Sequence, residues 1–222
     1  MLLAVDTSTL WIGLALYDES CVLAENIWHT ENHHTIELVP SIENLLKRCK
    51  VSPADLQALA VATGPGSFTS LRISLAVVKG LALACHLPVV GVPSLDILAA
   101  AQPRQDSLLA AVLQAGRGRL AVGWYDCSDT GWKSISPAKI TTAEALASEI
   151  KKPTLICGEL NTEERQVLAR KWKNVTIASP ARSVRRPSFL AELAWDRWKA
   201  GQVSDPASLA PIYLHIAGEI TA

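Results

Sequence analysis

No net charge is left once 21 Lys and Arg are set against 21 Asp and Glu. The chain as a whole therefore lacks the long-range attraction that draws a basic protein to nucleic acid. A neutral total can still hide a basic patch, and Arg182, Arg185 and Arg186 form a small one. Cysteine is sparse and follows no pairing pattern: Cys21, Cys49, Cys85, Cys127 and Cys157 are scattered, without a CxxC. An odd, dispersed set reads as reduced thiols in a cytoplasmic protein, not as a disulfide framework. The first residues enter a strand directly, with no charged leader before an apolar signal core. The longest apolar run, Ile73 to Val92, is interrupted by Ser74, Lys79, Gly80, His86 and Pro88, so no membrane span is expected. What is present is apolar substance: 49% of the 222 residues are hydrophobic. That excludes a disordered chain and suffices for one large domain or two lobes.

The first third reads as a β-meander. Leu2 to Val5 is a strand, Asp6-Thr7-Ser8-Thr9 a polar turn, Trp11 to Tyr17 the returning strand and Cys21 to Trp28 a third. A helix opens at His34. Leu38, Ile42, Leu45 and Cys49 share one face of it. The stretch Ser52 to Asp55 is a capped turn, and Leu56 to Thr63 a buried strand. Then comes Gly64-Pro65-Gly66-Ser67, and a helix from Phe68 to His86 that is apolar almost all round. Such a helix must be covered on every side. In a chain of this size one face covers the protein's own sheet and the other is left for a second protein. The strand Leu87 to Val92 completes a βαβ unit, and Ser94 is placed to cap the helix that follows.

The polar break Gln102 to Asp106 suggests a boundary, with lobes 1–102 and 103–222 and a tail from about 206 able to pack back on the first. The second lobe opens as the first does. Leu108 to Leu113, the turn Gln114 to Arg119, and Leu120 to Tyr125 repeat strand, polar turn, strand, with Gln114 opposite Asp6. Helices at Thr142 to Ile150 and Asn161 to Trp172, strands at Thr154 and Val175, and a helix from Ser188 to Ala200 complete an α/β pattern.

Chemistry has few places to sit. A hairpin such as Asp6 to Thr9 can hold phosphate through hydroxyls and backbone N–H groups, with Asp6 toward Mg²⁺. Equally, Asp6 can order the turn through its own backbone. The Gly64–Ser67 turn precedes a helix N-terminus that could meet an anion. It lacks the Lys-Ser/Thr of a P-loop, and Thr69 stands where a dinucleotide fingerprint needs its third Gly, so a tight turn capped by Ser67 is the simpler reading. His29 and His33 lie in a loop without a third ligand nearby. No Gly-x-Ser-x-Gly elbow is present. The seven Trp are dispersed and suit packing or interfaces better than a base-stacking platform.

Several ordered motifs carry a resemblance. Leu3 to Thr9, His34 to Pro40, Gly64-Pro65-Gly66-Ser67-Phe68-Thr69-Ser70-Leu71-Arg72, Lys79 to Ala82 and Val92 to Leu95 resemble the TsaB (YeaZ) family. A looser likeness runs to Pro211-Ile212-Tyr213-Leu214. The resemblance implies a two-lobed, actin-like ATPase (ASKHA, ribonuclease H-like) α/β fold with duplicated βββαβα-type lobes. It implies a non-catalytic accessory subunit for making N6-threonylcarbamoyladenosine at position 37 of tRNAs that read codons starting with A. The implied partners are the TsaD paralogue that transfers the threonylcarbamoyl group, the TsaE ATPase in a larger complex, and a second copy of the chain when it is alone. Contact with tRNA comes through the complex. The metal-binding HxxxH of TsaD has no counterpart here, since His86 is the single histidine between His34 and His215.

The family's interface helices place the partner-facing residues at His34, Leu38, Ile42, Leu45, Phe68, Leu71, Arg72, Leu75, Val78 and Lys79. No catalytic residue, required cofactor or metal is implied. ADP or ATP at the partner junction would meet Asp6, Thr7, Gly64, Gly66 and Ser67. The sequence departs from the family in having Ser70 for Gly, Gln114-Ala115-Gly116 for Asp-Ala-Arg, and His215 for Arg. Alternative readings are an ASKHA-type ATPase or kinase using Asp6, and, last, an M22-type glycoprotease.

Overall fold

The computed structural model describes residues 1–31 and 33–214. The departure at His215 lies outside them. The chain forms two compact units, 1–97 with 185–212, and 98–184 with 213–214. The sequence division near 102 placed 103–222 in the second lobe, with a tail from about 206 able to pack back on the first. In the structure, 185–212 belongs to the first unit, including a whole helix and not merely a tail.

The first unit is built on a five-stranded sheet. Strands β1 (Leu2–Asp6), β2 (Trp11–Tyr17) and β3 (Val22–His29) form the antiparallel meander, and β4 (Ala58–Ala62) and β5 (Val89–Val92) extend it in parallel, in the order β3-β2-β1-β4-β5. Alternation along the strands divides the side chains into two cores. Leu3, Val5, Ile12, Leu14, Leu59 and Val61 face helices α1 (His34–Cys49) and α2 (Phe68–Cys85). Leu2, Ala4, Ala15, Ala58, Ala60 and Ala62 face α6 (Pro187–Lys199) through Leu190, Ala191, Ala194 and Trp195. The row of alanines lets α6 lie close to the sheet. At Gly13 the approach is close, since a Cβ there would sit 3.3 Å from the Pro187 ring.

Glu25 holds the start of α6. Its Oε1 accepts from Ser188 N at 3.0 Å and Ser188 Oγ at 2.6 Å, and its Oε2 accepts from Arg186 Nε at 3.0 Å. Burial alone would push the Glu25 carboxyl up. The hydrogen bonds from Arg186 and Ser188 outweigh it, and the group sits below its ordinary value.

The second unit repeats the plan. Strands β6 (Leu108–Gln114), β7 (Leu120–Ser128) and β8 (Gly131–Ser134) form the meander, and β10 (Thr154–Gly158) and β11 (Val175–Ile177) add in parallel, in the order β11-β10-β6-β7-β8. The short strand β9 (Lys139–Thr141) pairs with β7. Helices α4 (Ala143–Glu149) and α5 (Thr162–Ala169) lie over a core of Val112, Val122, Leu146, Ile156 and Leu168. The capping box Asn161–Glu164 forms as its spacing predicts. Helix α3 (Ser94–Ala100) carries the chain from one unit to the other. Each unit thus has the same strand order, a duplicated actin-like plan.

Helix α2 is long and apolar enough to cross a membrane by length and composition, with a third of its residues buried. Its buried stripe of Leu71, Leu75 and Val78 belongs to the core of the first unit.

Candidate functional site

The five residues expected to meet a nucleotide come together. The hairpin Asp6 to Thr9 and the turn Gly64 to Ser67 lie side by side, joined by Ser67 N donating to the Ser8 carbonyl at 2.7 Å. Their hydrogen-bonding groups are engaged with the protein itself. Asp6 Oδ1 accepts from Ser8 N at 2.8 Å. Thr7 Oγ1 donates to the Ser70 carbonyl at 2.6 Å. The Ser8 and Ser94 hydroxyls share a hydrogen bond at 2.6 Å, and Ser94 Oγ accepts from Gly64 N at 3.1 Å. Ser94, expected as a helix cap, thus serves the hairpin. The Thr9 carbonyl accepts from His34 Nε2 at 2.9 Å.

One partner was not foreseen. Arg185, just before α6, donates from Nε to Asp6 Oδ2 at 2.8 Å and from Nη2 to Thr9 Oγ1 at 2.9 Å. Both members of the ion pair are buried. No spacing rule links residues 179 positions apart. The one available signal was the arginine cluster, and it pointed elsewhere. Arg185 is a buried ion-pair partner and Arg186 is bound to Glu25, so these two are not the surface patch expected of them.

An ASKHA phosphotransferase would put nucleotide phosphates, with Mg²⁺ near the Asp, between such a hairpin and turn. The residues here do not fit that group. A guanidinium stands where a cation would meet Asp6. The turn packs directly on the hairpin, so that a Cβ at Gly66 would lie 2.1 Å from the Ser8 carbonyl oxygen. That close approach is why glycine is needed at 66, in place of a phosphate cradle. In the second unit Gln114 ends β6 as Asp6 ends β1. Its Nε2 donates to Glu164 Oε2 at 2.7 Å and to the Glu159 carbonyl at 3.3 Å. A carboxylate at 114 would face Glu164 as a like charge, and the amide removes that repulsion. Among the described residues no group of three His, Cys, Asp or Glu is placed to hold a metal.

Most residues of the expected partner surface point inward. His34, Leu38, Ile42, Leu45, Leu71, Leu75 and Val78 are buried within the first unit. These are the large apolar side chains nearest the sheet, and the fold uses them before any partner can. Of the ten, Phe68 and Arg72 are exposed and Lys79 is half-buried. Ser70 is buried too, its hydroxyl 3.1 Å from Ser67 Oγ at the helix N-terminus, so it adds nothing to the outward face.

The outward face of α2 is carried by other residues. Phe68 is 51% exposed and Leu83 79%, with Ala76, Gly80 and Ala84 between and beside them in the open. The Arg72 guanidinium lies over the Phe68 ring, 3.8 Å from its centre. A Cβ added at Gly80 would meet nothing within 4 Å. On α1, Ile36 and Val39 are exposed at 69% and 52%. This is an apolar helix face with a low, smooth surface, the kind that lets a second helix approach closely.

Comparison with known proteins agrees with this architecture. A family model described as TsaD, tRNA N6-adenosine threonylcarbamoyltransferase, matches residues 22–178. The tRNA threonylcarbamoyladenosine biosynthesis protein TsaB of Bacillus subtilis is 33% identical over 223 residues, covering 97% of this chain and 94% of its own. The solved structure of YeaZ from Pseudomonas aeruginosa superposes with a TM-score of 0.78 at 25% identity, over 96% of this chain and 99% of that one. The ROK hexokinase from Thermus thermophilus shares the fold alone, with a TM-score of 0.50 at 11% identity over 89% of this chain and 99% of the hexokinase chain. A two-unit ASKHA fold, the ordered Gly64-to-Arg72 motif and near full-length identity to TsaB converge: the chain belongs to the TsaB family of tRNA threonylcarbamoyladenosine biosynthesis proteins.

Proposed function

We propose that this protein is a non-catalytic accessory subunit in the synthesis of N6-threonylcarbamoyladenosine in tRNAs that read codons starting with A, and that it works by docking a TsaD-like threonylcarbamoyltransferase through the outward face of α2. The observation that carries this reading is α2 itself, whose inner stripe is in the core while Phe68, Ala76, Gly80, Leu83 and Ala84 are in the open. A protein partner suits it better than a lipid bilayer, because leaving the unit for a membrane would expose Leu71, Leu75 and Val78. The same face, with Ile36 and Val39, pairs two copies when the enzyme is absent. The protein acts in the cytoplasm, beside a TsaE-type ATPase in the larger assembly, and reaches tRNA as part of that complex.

Asp6 locked to Arg185 supports a subunit without phosphotransfer chemistry of its own, against the ATPase or kinase reading. Any ADP or ATP in the assembly would then sit at the partner junction. Titration calorimetry of ADP into the lone chain should give no heat, and binding that is lost in Asp6→Asn would restore the nucleotide-site reading. Docking is tested by co-purification of the enzyme with Leu83→Glu. The expected result is a folded chain that no longer retains the enzyme. Undiminished retention by Leu83→Glu and by Ala76→Glu would overturn α2 as the docking surface.

A further inference from the structure

The charges of this neutral chain are not evenly spread. Residues 98–184 carry twelve Lys and Arg against eight Asp and Glu. Part of that excess is concentrated at one end of the second sheet. Strands β10 and β11 pair in parallel with Thr154 opposite Val175, so the segments that lead into them share a sheet edge. One brings Lys151 and Lys152, the other Arg170, Lys171 and Lys173, and all five are exposed. Hydrogen bonds hold the segments together: Asn174 Nδ2 donates to the Lys151 carbonyl at 3.3 Å, and Thr154 N to the Asn174 carbonyl at 2.8 Å.

None of the five cations forms an ion pair among the described residues. The acidic neighbour Glu149 is held by Lys139 at 2.7 Å, and Asp106, ahead of β6, is the counter-charge the topology brings toward this end. Trp172 stands in the middle of the basic segment, 74% exposed, with Lys173 Nζ 5.5 Å from its ring centre. A large ring left in water among unpaired cations has no use in the fold of this unit.

We propose that this edge is an RNA-contacting surface, in which Lys151, Lys152, Arg170, Lys171 and Lys173 meet backbone phosphates and Trp172 stacks on an unpaired base. Cations supply affinity that does not depend on sequence, and an exposed indole supplies a stacking platform. Resting on the accessory-subunit reading, the inference identifies the RNA as the tRNA substrate and gives this subunit a share in holding it. A surface of five cations is too small to retain tRNA strongly by itself, which agrees with contact made within the complex.

The test uses the complex of this chain with its threonylcarbamoyltransferase and a fluorescein-labelled tRNA, with anisotropy followed from about 50 to about 300 mM KCl. In the Lys151→Gln, Lys152→Gln, Lys171→Gln, Lys173→Gln variant the Kd should rise about tenfold or more, and the slope of log K against log salt should flatten by roughly 3, at about 0.7–0.9 per lost phosphate contact. Trp172→Ala should weaken binding about fivefold or more with the slope unchanged. Wild-type affinity and slope in variant complexes that still co-elute would overturn the RNA surface and leave the accessory reading standing. That outcome would point to an acidic protein as the patch's occupant. A chain that does not co-elute with the enzyme would overturn the accessory reading and this inference with it.

Discussion

Replacing Gly80 by leucine separates docking from folding. Gly80 lies mid-helix in α2 with open space where a side chain would start. Within the chain the change should therefore be favourable. Glycine in a helix interior costs about 0.5–1 kcal/mol relative to a good helix former, so Gly80→Leu should stabilise by about that amount. In a domain of this size that corresponds to roughly 2 °C in Tm. At a close helix–helix interface the same side chain meets the partner's backbone. Overpacking of that kind costs about 1–3 kcal/mol, or from about fivefold to more than about a hundredfold in Kd. The assay is calorimetric titration into the TsaD-like enzyme beside thermal unfolding of the free chain. A variant that melts higher and binds more weakly is the predicted result, and its raised Tm would rule out misfolding as the cause. A stabilised variant with unchanged Kd would show that nothing packs against Gly80, and would refute the argument from the open helix face.

Three further outcomes follow from buried or half-buried groups. Arg185→Met leaves Asp6 buried without its partner and should cost about 3–5 kcal/mol by urea denaturation, with part recovered when Asp6→Asn is added. The Glu25 carboxyl, held below its ordinary value of 4.5, contributes stability that is present above that value and lost as pH falls through the lower folded-state value. Glu25→Gln should therefore be less stable than wild type at pH 7, with the gap closing as the pH falls below 4.5 in acid titrations followed by circular dichroism. Burial pushes the Cys157 thiol up to about 12, whereas Cys21 is exposed. A thiol-reactive reagent at pH 8 should label Cys21 in the native protein and reach Cys157 after unfolding, as mapped by mass spectrometry.

Much of this fold could be read from local pattern. The ends of α1 and the capping box at Asn161 are visible because helix periodicity and caps are local properties. The meander of the first unit and the β6–β7 hairpin of the second are legible for the same reason, since strand, polar turn and strand follow one another directly. Strands β8 and β9 passed unread because four and three residues set no period, and Ser136 and Pro137 interrupt the run between them. What depends on distant parts of the chain was hidden. The return of α6 to the first sheet rests on a row of alanines in strands far upstream, and the Arg185–Asp6 pair on a contact 179 positions long. Most of the residues expected at the partner face are buried in the first unit, for a physical reason. The largest apolar residues, Leu38, Leu45, Leu71 and Leu75, make the most conspicuous stripe, and the fold claims them first. A helix apolar all round has no polar side to show which way it faces.

Hairpin Asp6 to Thr9 is the other lesson. In position it matches a phosphate-binding hairpin, and its residue types suit one. Its contacts make it a hub that ties α1 through His34, α2 through Ser70, α3 through Ser94 and the segment before α6 through Arg185. A site's residue types are legible in sequence, but what already occupies them is not.

The accessory role is tested most directly by reconstituting the modification. Purified TsaD-like enzyme, the threonylcarbamoyl donor and a tRNA reading codons starting with A are combined with and without this chain, and N6-threonylcarbamoyladenosine is measured by mass spectrometry of the digested tRNA. The account predicts product when enzyme and chain are together, little with the enzyme alone, and none with the chain alone. Modified tRNA made by the chain without the enzyme, or a yield that does not change when the chain is left out, would contradict it.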